Sequence, residues 1–300
     1  MKNIKPKGYI LVHEHLFNLY PYSKTEENTK YALKLLDKVA KYNIDYIVDL
    51  TPYASLNKYL DIIDNSPIEI ICCIGFYCGR QVKASDKRKT VEELYQSLRN
   101  KYIKGISNRK IKPGIIKIAT NSRNQLKDYE CRFINAAIKL SNEFNLPIAF
   151  HCPNNTYDHF CELLKMGVNP RLLMICHYEK QYNKLSSEQF VSEALTIANS
   201  GSFLQINDFG MVPKSKKTKA IMKFVESLII EGYTKNVLLS SDCNWKWTNG
   251  SPCLNQGNLN LGYNYLFEYT IPLLQSIGIS ARDITNILQN NPRRLLNIIS

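Results

Sequence analysis

The chain has 300 residues, 44% of them hydrophobic, enough to bury one large core of the size that an α/β barrel of about 250 residues needs. Its formal charge of +13 suits an anionic partner, but the Lys and Arg are spread along the chain, which argues against nucleic acid. No stretch approaches the roughly 18 apolar residues of a membrane span, no signal peptide precedes the first apolar run, and the nine cysteines contain no Cys-x-x-Cys, so a cytoplasmic protein with reduced thiols is expected.

Eight short apolar, β-branched runs recur along the chain: Gly8–Val12, Asp45–Leu50, Glu69–Gly75, Gly114–Ala119, Pro147–Phe150, Leu172–Cys176, Ser202–Ile206 and Asn236–Ser241. Helical periodicity fills six of the gaps, at Glu27–Tyr42, Thr90–Lys104, Leu126–Phe144, Tyr157–Lys165, Ser187–Ala198 and Lys219–Glu231. The densest basic cluster, Lys214 to Lys219, reads as a loop opening the last of these. Strand–helix alternation repeated eight times predicts α/β architecture closed as a single-domain (β/α)8 TIM barrel over residues 1–300. A doubly wound open sheet is the structural alternative, without a glycine-rich phosphate loop to support it. Cys243 to Gly262 reads as a long loop rich in Asn and Gly, followed by an aromatic helix from Tyr263 and a last helix, Ser280–Gln289, capped by Ser280.

Barrels of this kind carry their chemistry at the C-terminal ends of the strands. The first run ends in His13-Glu14-His15, and period two points the two imidazoles the same way, with Glu14 opposite and structural. Alone, such a pair is as well explained by polar residues closing a strand. Four of the five histidines stand at strand ends, however: His13, His15, His151 and His177. Asp242 ends the eighth run, and Lys117 interrupts the apolar fourth. His159 lies in a helical pattern and reads as non-functional. Four His and one Asp exceed what one open catalytic ion uses, and they fit two divalent ions sharing a bridging hydroxide. A protonated lysine would be repelled there; carboxylated to N6-carboxylysine, Lys117 would supply one oxygen to each ion. The alternative for Lys117 is an ion-paired barrel lysine.

The segments Val12-His13-Glu14-His15-Leu16, Val48-Asp49-Leu50-Thr51-Pro52, Gly75-Phe76-Tyr77, Gly114-Ile115-Ile116-Lys117-Ile118-Ala119-Thr120, Cys176-His177, Leu239-Ser240-Ser241-Asp242, Ile271-Pro272-Leu273 and Asn291-Pro292-Arg293-Arg294-Leu295-Leu296 together resemble the phosphotriesterase-like branch of the amidohydrolase superfamily. The resemblance implies that His13, His15 and Asp242 hold the more buried metal. It implies that His151 and His177 hold the more exposed one, with carboxylated Lys117 as the bridge. It also implies that Tyr77 lines the substrate pocket. The chain departs from the pattern at Cys176, where relatives often have Gly, and at 53–57, which lack a glycine and an arginine common there.

The expected activity is that of a binuclear metal-dependent hydrolase, a lactonase opening a small polar lactone such as a phosphorylated sugar lactone, with Asp242 as general base. Zinc is the first choice of metal, with manganese, cobalt or iron as alternatives. Lys180 and Lys246, just past two metal ligands, are candidate contacts for an anionic substrate, with Arg80 and Arg123 further along the rim. Hydrolysis of organophosphate esters or acyl-homoserine lactones is the alternative within the family. A TatD-like nuclease is disfavoured by Lys117, and a non-catalytic nucleic-acid-binding or scaffold barrel by the full set of ligand-type residues. Similar proteins are commonly homodimers.

Overall fold

Eight parallel strands hydrogen-bond in sequence order: β1 (Tyr9–Glu14), β2 (Ile44–Asp49), β3 (Glu69–Gly75), β4 (Ile115–Ala119), β5 (Ile148–His151), β6 (Leu173–Cys176), β7 (Phe203–Ile206) and β8 (Val237–Leu239). The structure is a computed structural model and describes residues 7–17, 25–52, 58–79, 82–105, 111–207, 216–248, 251–254 and 261–298. The sheet forms a nearly closed barrel. Its first and last strands meet at the C-terminal rim, where Asp242 N–H donates to the His13 carbonyl at 3.2 Å and His15 N–H to the Cys243 carbonyl at 3.0 Å.

Helices follow the strands: α1 (Thr25–Val39), α2 (Lys58–Asn65), α3 (Ala84–Lys87), α4 (Val91–Lys104), α5 (Asp128–Phe144), α6 (Thr156–Lys165), α7 (Ser187–Asn199) and α8 (Lys216–Ile230). The six expected from periodicity are present. The short α2 and α3 are additions, too brief for a period of 3.6 to stand out. Caps fix where several begin. Thr90 and Glu93 form a reciprocal capping box on α4, and Ser186 and Gln189 another on α7. Within the expected loop from Cys243, the described residues form an antiparallel hairpin, β9 (Trp245–Thr248) with β10 (Ser251–Leu254). It is anchored by Trp245, which is buried and meets Tyr31 of α1 edge-on at 4.9 Å. Beyond it, the helical turns of Gly262–Thr270 lead into α9 (Ile271–Ser276), α10 (Ala281–Thr285) and α11 (Asn291–Leu295). Ser280 caps α10 as expected, accepting from Asp283 N–H at 3.1 Å.

Side chains sort into two layers. Leu11, Ile47, Ile116, Ile118, Phe150, Ile175 and Leu204 pack outward against the helices. Ile10, Val12, Val48, Cys73, Ile115, Ala149, Met174, Phe203 and Leu238 fill the barrel interior. Alternation at period two carries the interior positions upward to Lys117, His151, Cys176, Gln205 and, past β8, Asp242. Strand β1 breaks this parity. Leu11 pairs with Ile47 and Glu14 with Asp49, so three steps on β1 answer two on β2. This β-bulge follows the inward Ile10 and Val12 with an inward His13 and His15, and sends Glu14 outward. The base of the barrel is sealed by α11. Leu295 joins the interior cluster, and Arg293 donates to the Gly8 carbonyl at 2.9 Å and pairs with Asp45. No described helix is long and apolar enough to cross a membrane.

Candidate active site

At the C-terminal rim the carboxylate of Asp242 is the meeting point. Its Oδ1 lies 3.2 Å from His15 Nε2 and 3.6 Å from His13 Nε2, and its Oδ2 lies 3.8 Å from His177 Nδ1. Ligands about 2.0–2.1 Å from a tetrahedral ion stand roughly 3.3–3.5 Å from one another, so the spacings of Asp242 from His13 and His15 Nε2 suit a metal. One ligand atom each from His13, His177 and Asp242 lies within 4.8 Å of the other two. His151 joins from the far side, its ring 4.7 Å from that of His177. It meets Tyr77, whose hydroxyl is 3.4 Å from His151 Nε2.

The imidazoles are held by their other nitrogens. His13 Nδ1 faces Gln205 Oε1 at 3.0 Å, and His177 Nδ1 faces Asn207 Oδ1 at 2.9 Å. His15 Nδ1 is 2.9 Å from Thr51 Oγ1. The Thr51 hydroxyl is committed as a donor to Asp49 Oδ1 at 2.6 Å, so its oxygen can only accept from His15 Nδ1–H. With Nδ1 engaged in this way, His13 and His15 each present Nε2 to Asp242. Burial, seconded by the Lys117 amine, holds His13 and His151 well below the usual histidine range. Burial and the His151 ring do the same for His177. Neutral imidazole is the form that binds metal. Asp49, buried beneath His15, also accepts from Tyr59 O–H at 2.5 Å and Thr51 N–H at 3.1 Å. Replacing Thr51 with Val removes the acceptor that orients His15. Titration with a competing chelator should show metal affinity falling about 10- to 100-fold, the cost of losing an outer partner, with the fold retained.

Two of these residues have unusual backbones. Six non-glycine described residues have positive φ; four are Asn, which tolerates it, and the others are His177 (φ 61°) and Asp242 (φ 46°). Such strain persists where surroundings enforce it. His177 N–H is tied to the Gln205 carbonyl at 3.1 Å. Asp242 is held on both sides by Glu14, whose carboxylate accepts from Ser241 N–H at 2.8 Å and Cys243 N–H at 2.7 Å.

Lys117 rises from the barrel floor among His13, His151, His177, Cys73 and Cys176 and is 1% exposed. Its Nζ donates to Cys176 Sγ at 3.7 Å, and among the described residues it makes no ion pair with a carboxylate. Burial pushes the Cys176 thiol up to about 11, so it is a neutral S–H at pH 7. Gly75 of β3 lies against Lys117; a Cβ there would come within 1.9 Å of the Lys117 carbonyl oxygen, so only glycine allows the two strands to pair.

Of the remaining candidates, Lys180 follows His177 in a 3₁₀ turn, and its charge reaches His151 and His177. Arg123 is exposed. Arg80 and the side chain of Lys246 lie outside the described residues. His159 is buried in a structural place, hydrogen-bonded to the Ser122 carbonyl and Glu162. Sequence reasoning missed Gln205, Asn207, Asp49 and Tyr59. Polar residues two apart at the end of the β7 run, in Gln205-Ile206-Asn207, were the available signal.

Comparison with known proteins fits this arrangement. The family model described as the phosphotriesterase family matches residues 3–296. The chain belongs to the phosphotriesterase family. Members of this family are metal-dependent hydrolases, and this member carries the His/Asp cluster that such chemistry uses. It is 24% identical over 297 residues to the phosphotriesterase homology protein of Escherichia coli, covering 96% of this chain and 97% of that one. It is 28% identical over 190 residues, 62% of its length, to a phospho-furanose lactonase of Mycoplasmopsis synoviae, and 24% identical over 248 residues, 77% of its length, to an N-acetyltaurine hydrolase of Dictyostelium discoideum. These matches span only 51% of the lactonase and 62% of the N-acetyltaurine hydrolase. A solved mutant of the organophosphorus hydrolase of Deinococcus radiodurans superposes with a TM-score of 0.83 at 22% identity, over 97% of this chain and 93% of that one, and shares the barrel.

Proposed function

We propose that this family member is a binuclear metal-dependent lactonase for a small polar lactone. The observation that carries the reading is the group of buried, neutral imidazoles around Asp242 and a lysine that has no carboxylate partner among the described residues. His13, His15 and Asp242 would hold the inner ion, His151 and His177 the outer one, and Lys117, carboxylated on Nζ, would bridge them. Zinc suits this N/O donor set. Two bound divalent ions would lower the pKa of water toward neutrality and polarise the scissile carbonyl. Asp242, whose side chain is 14% exposed, would take the proton from the attacking water and return it to the ring oxygen as the ester bond breaks. Tyr77, beside His151, would contact the substrate at the mouth.

The lactone reading is supported by the phospho-furanose lactonase among the relatives. Lys180 beside the outer histidines suits an anionic group on the substrate, as a phosphate would be; Lys246 is a second candidate for that contact. Elemental analysis of purified protein should give close to two metal ions per chain, and none after careful supplementation would overturn the enzyme reading. A panel of sugar lactones, their phosphates, acyl-homoserine lactones, phosphotriesters and N-acyl amides then decides the substrate. Lys180→Ala should raise KM for a phosphorylated lactone about tenfold or more, as expected for a lost charge-assisted contact, and leave plain lactones little changed. Equal effects on both would remove Lys180 from anion recognition.

A further inference from the structure

Lys117 on β4 and Cys176 on β6 reach toward each other across β5. In register, Lys117 stands beside Ala149, and Cys176 beside His151. Ala149 is interior and carries only a methyl group, and the Lys117 amine meets the sulfur at 3.7 Å. Lys117 is 1% exposed and Cys176 0%. The thiol stands immediately before the metal-ligand candidate His177, where a glycine would present no side chain at all.

We propose that Cys176 is a positioning residue whose sulfur accepts the one N–H left on carboxylated Lys117 and so sets the plane of the carbamate. The inference rests on the carbamate reading above. In that reaction the neutral amine attacks CO2, the N–C bond forms, one C–O bonding pair moves onto oxygen, and one amine proton leaves to water. The product, Lys–NH–COO⁻, keeps a single N–H. Its C–N bond has partial double-bond character, as in a peptide, so nitrogen, hydrogen, carbon and both oxygens share a plane. Anchoring the N–H on Sγ therefore fixes that plane and directs the N–C bond away from the sulfur. A buried N–H without an acceptor is costly, and a sulfur, although a weak acceptor, satisfies it. Alanine at 176 would leave that N–H without an acceptor, and a serine hydroxyl would restore one.

The test reads metal uptake rather than turnover. Full-length apo-protein prepared by chelation is reconstituted with a fixed zinc concentration over a bicarbonate series, and bound zinc is measured by elemental analysis, normalised to each protein's own plateau. Cys176→Ala should need about three- to tenfold more bicarbonate for half-reconstitution than wild type, the effect of one neutral hydrogen bond, and Cys176→Ser should return toward wild type. Coincident midpoints for wild type and Cys176→Ala would overturn the positioning role while leaving the carbamate intact, and so would a Cys176→Ser midpoint equal to that of Cys176→Ala. Zinc uptake by wild type that is independent of bicarbonate would overturn the carbamate itself.

Discussion

Lys117→Ala is expected to abolish hydrolysis while leaving the barrel folded. The side chain is almost fully buried, and its amine meets a neutral thiol. A buried amine in such a place contributes little to stability, since its desolvation is not offset by an ion pair. Truncation to Ala should therefore leave the melting temperature within a few degrees of wild type, or raise it. The loss appears in metal binding. Removing an outer partner of a ligand typically costs about 10–100-fold in affinity, and removing the bridging ligand should exceed about 100-fold, so the chain retains well under one ion after dialysis. Metal analysis and thermal melts on the same sample separate the two effects. A variant that keeps two ions and its activity would exclude Lys117 from the site.

The strands, their order and the ligand-type residues at their ends could be read from the chain because each is a local pattern. Apolar runs carry period two, and His13, His15, His151, His177 and Asp242 stand just where those runs stop. What orients these residues could not be read, because it comes from far along the chain. Gln205 meets His13 across 192 residues, Thr51 meets His15 across 36, and Asn207 meets His177 across 30. The bulge in β1 was hidden for a related reason. Simple alternation from Ile10 and Val12 would have sent His13 outward, and only pairing with β2 shows that the register slips by one residue. The hairpin after β8 is set by Trp245 finding Tyr31 on the opposite side of the sequence. The left-handed turns at His177 and Asp242 carry neither of the residues, Gly and Asn, that usually announce such a conformation.

Glu14 joins these themes and gives the largest expected effect on stability. It was expected to be structural because it points away from its two histidine neighbours, and its carboxylate spans Ser241 N–H and Cys243 N–H, one on each side of Asp242. It is fully buried. Burial pushes its carboxyl up, while the two backbone donors pull it back. Glu14→Ala would leave two buried N–H groups without their acceptor, at about 1–3 kcal/mol each. A loss of about 3 kcal/mol is a large share of the 5–15 kcal/mol of a typical domain, and at roughly 2–4 °C per kcal/mol it lowers the melting temperature by about 10 °C. The same two bonds add to the backbone pairs that join β1 to the segment after β8, and they flank Asp242 at φ 46°. Released from them, Asp242 should relax toward ordinary φ and carry its carboxylate away from His13 and His15. Glu14→Gln separates the two roles. Its amide oxygen can still accept one of the two bonds, so it should recover about half of the stability, while its NH2 group opposes the other N–H and leaves one flank of Asp242 loose. The expected outcome is a protein that melts between wild type and Glu14→Ala but still binds the inner ion weakly, measured by thermal melts and metal titration on both variants. Glu14→Gln that binds metal as wild type does would mean that the contacts of Asp242 with His13 O and the histidines suffice to hold it.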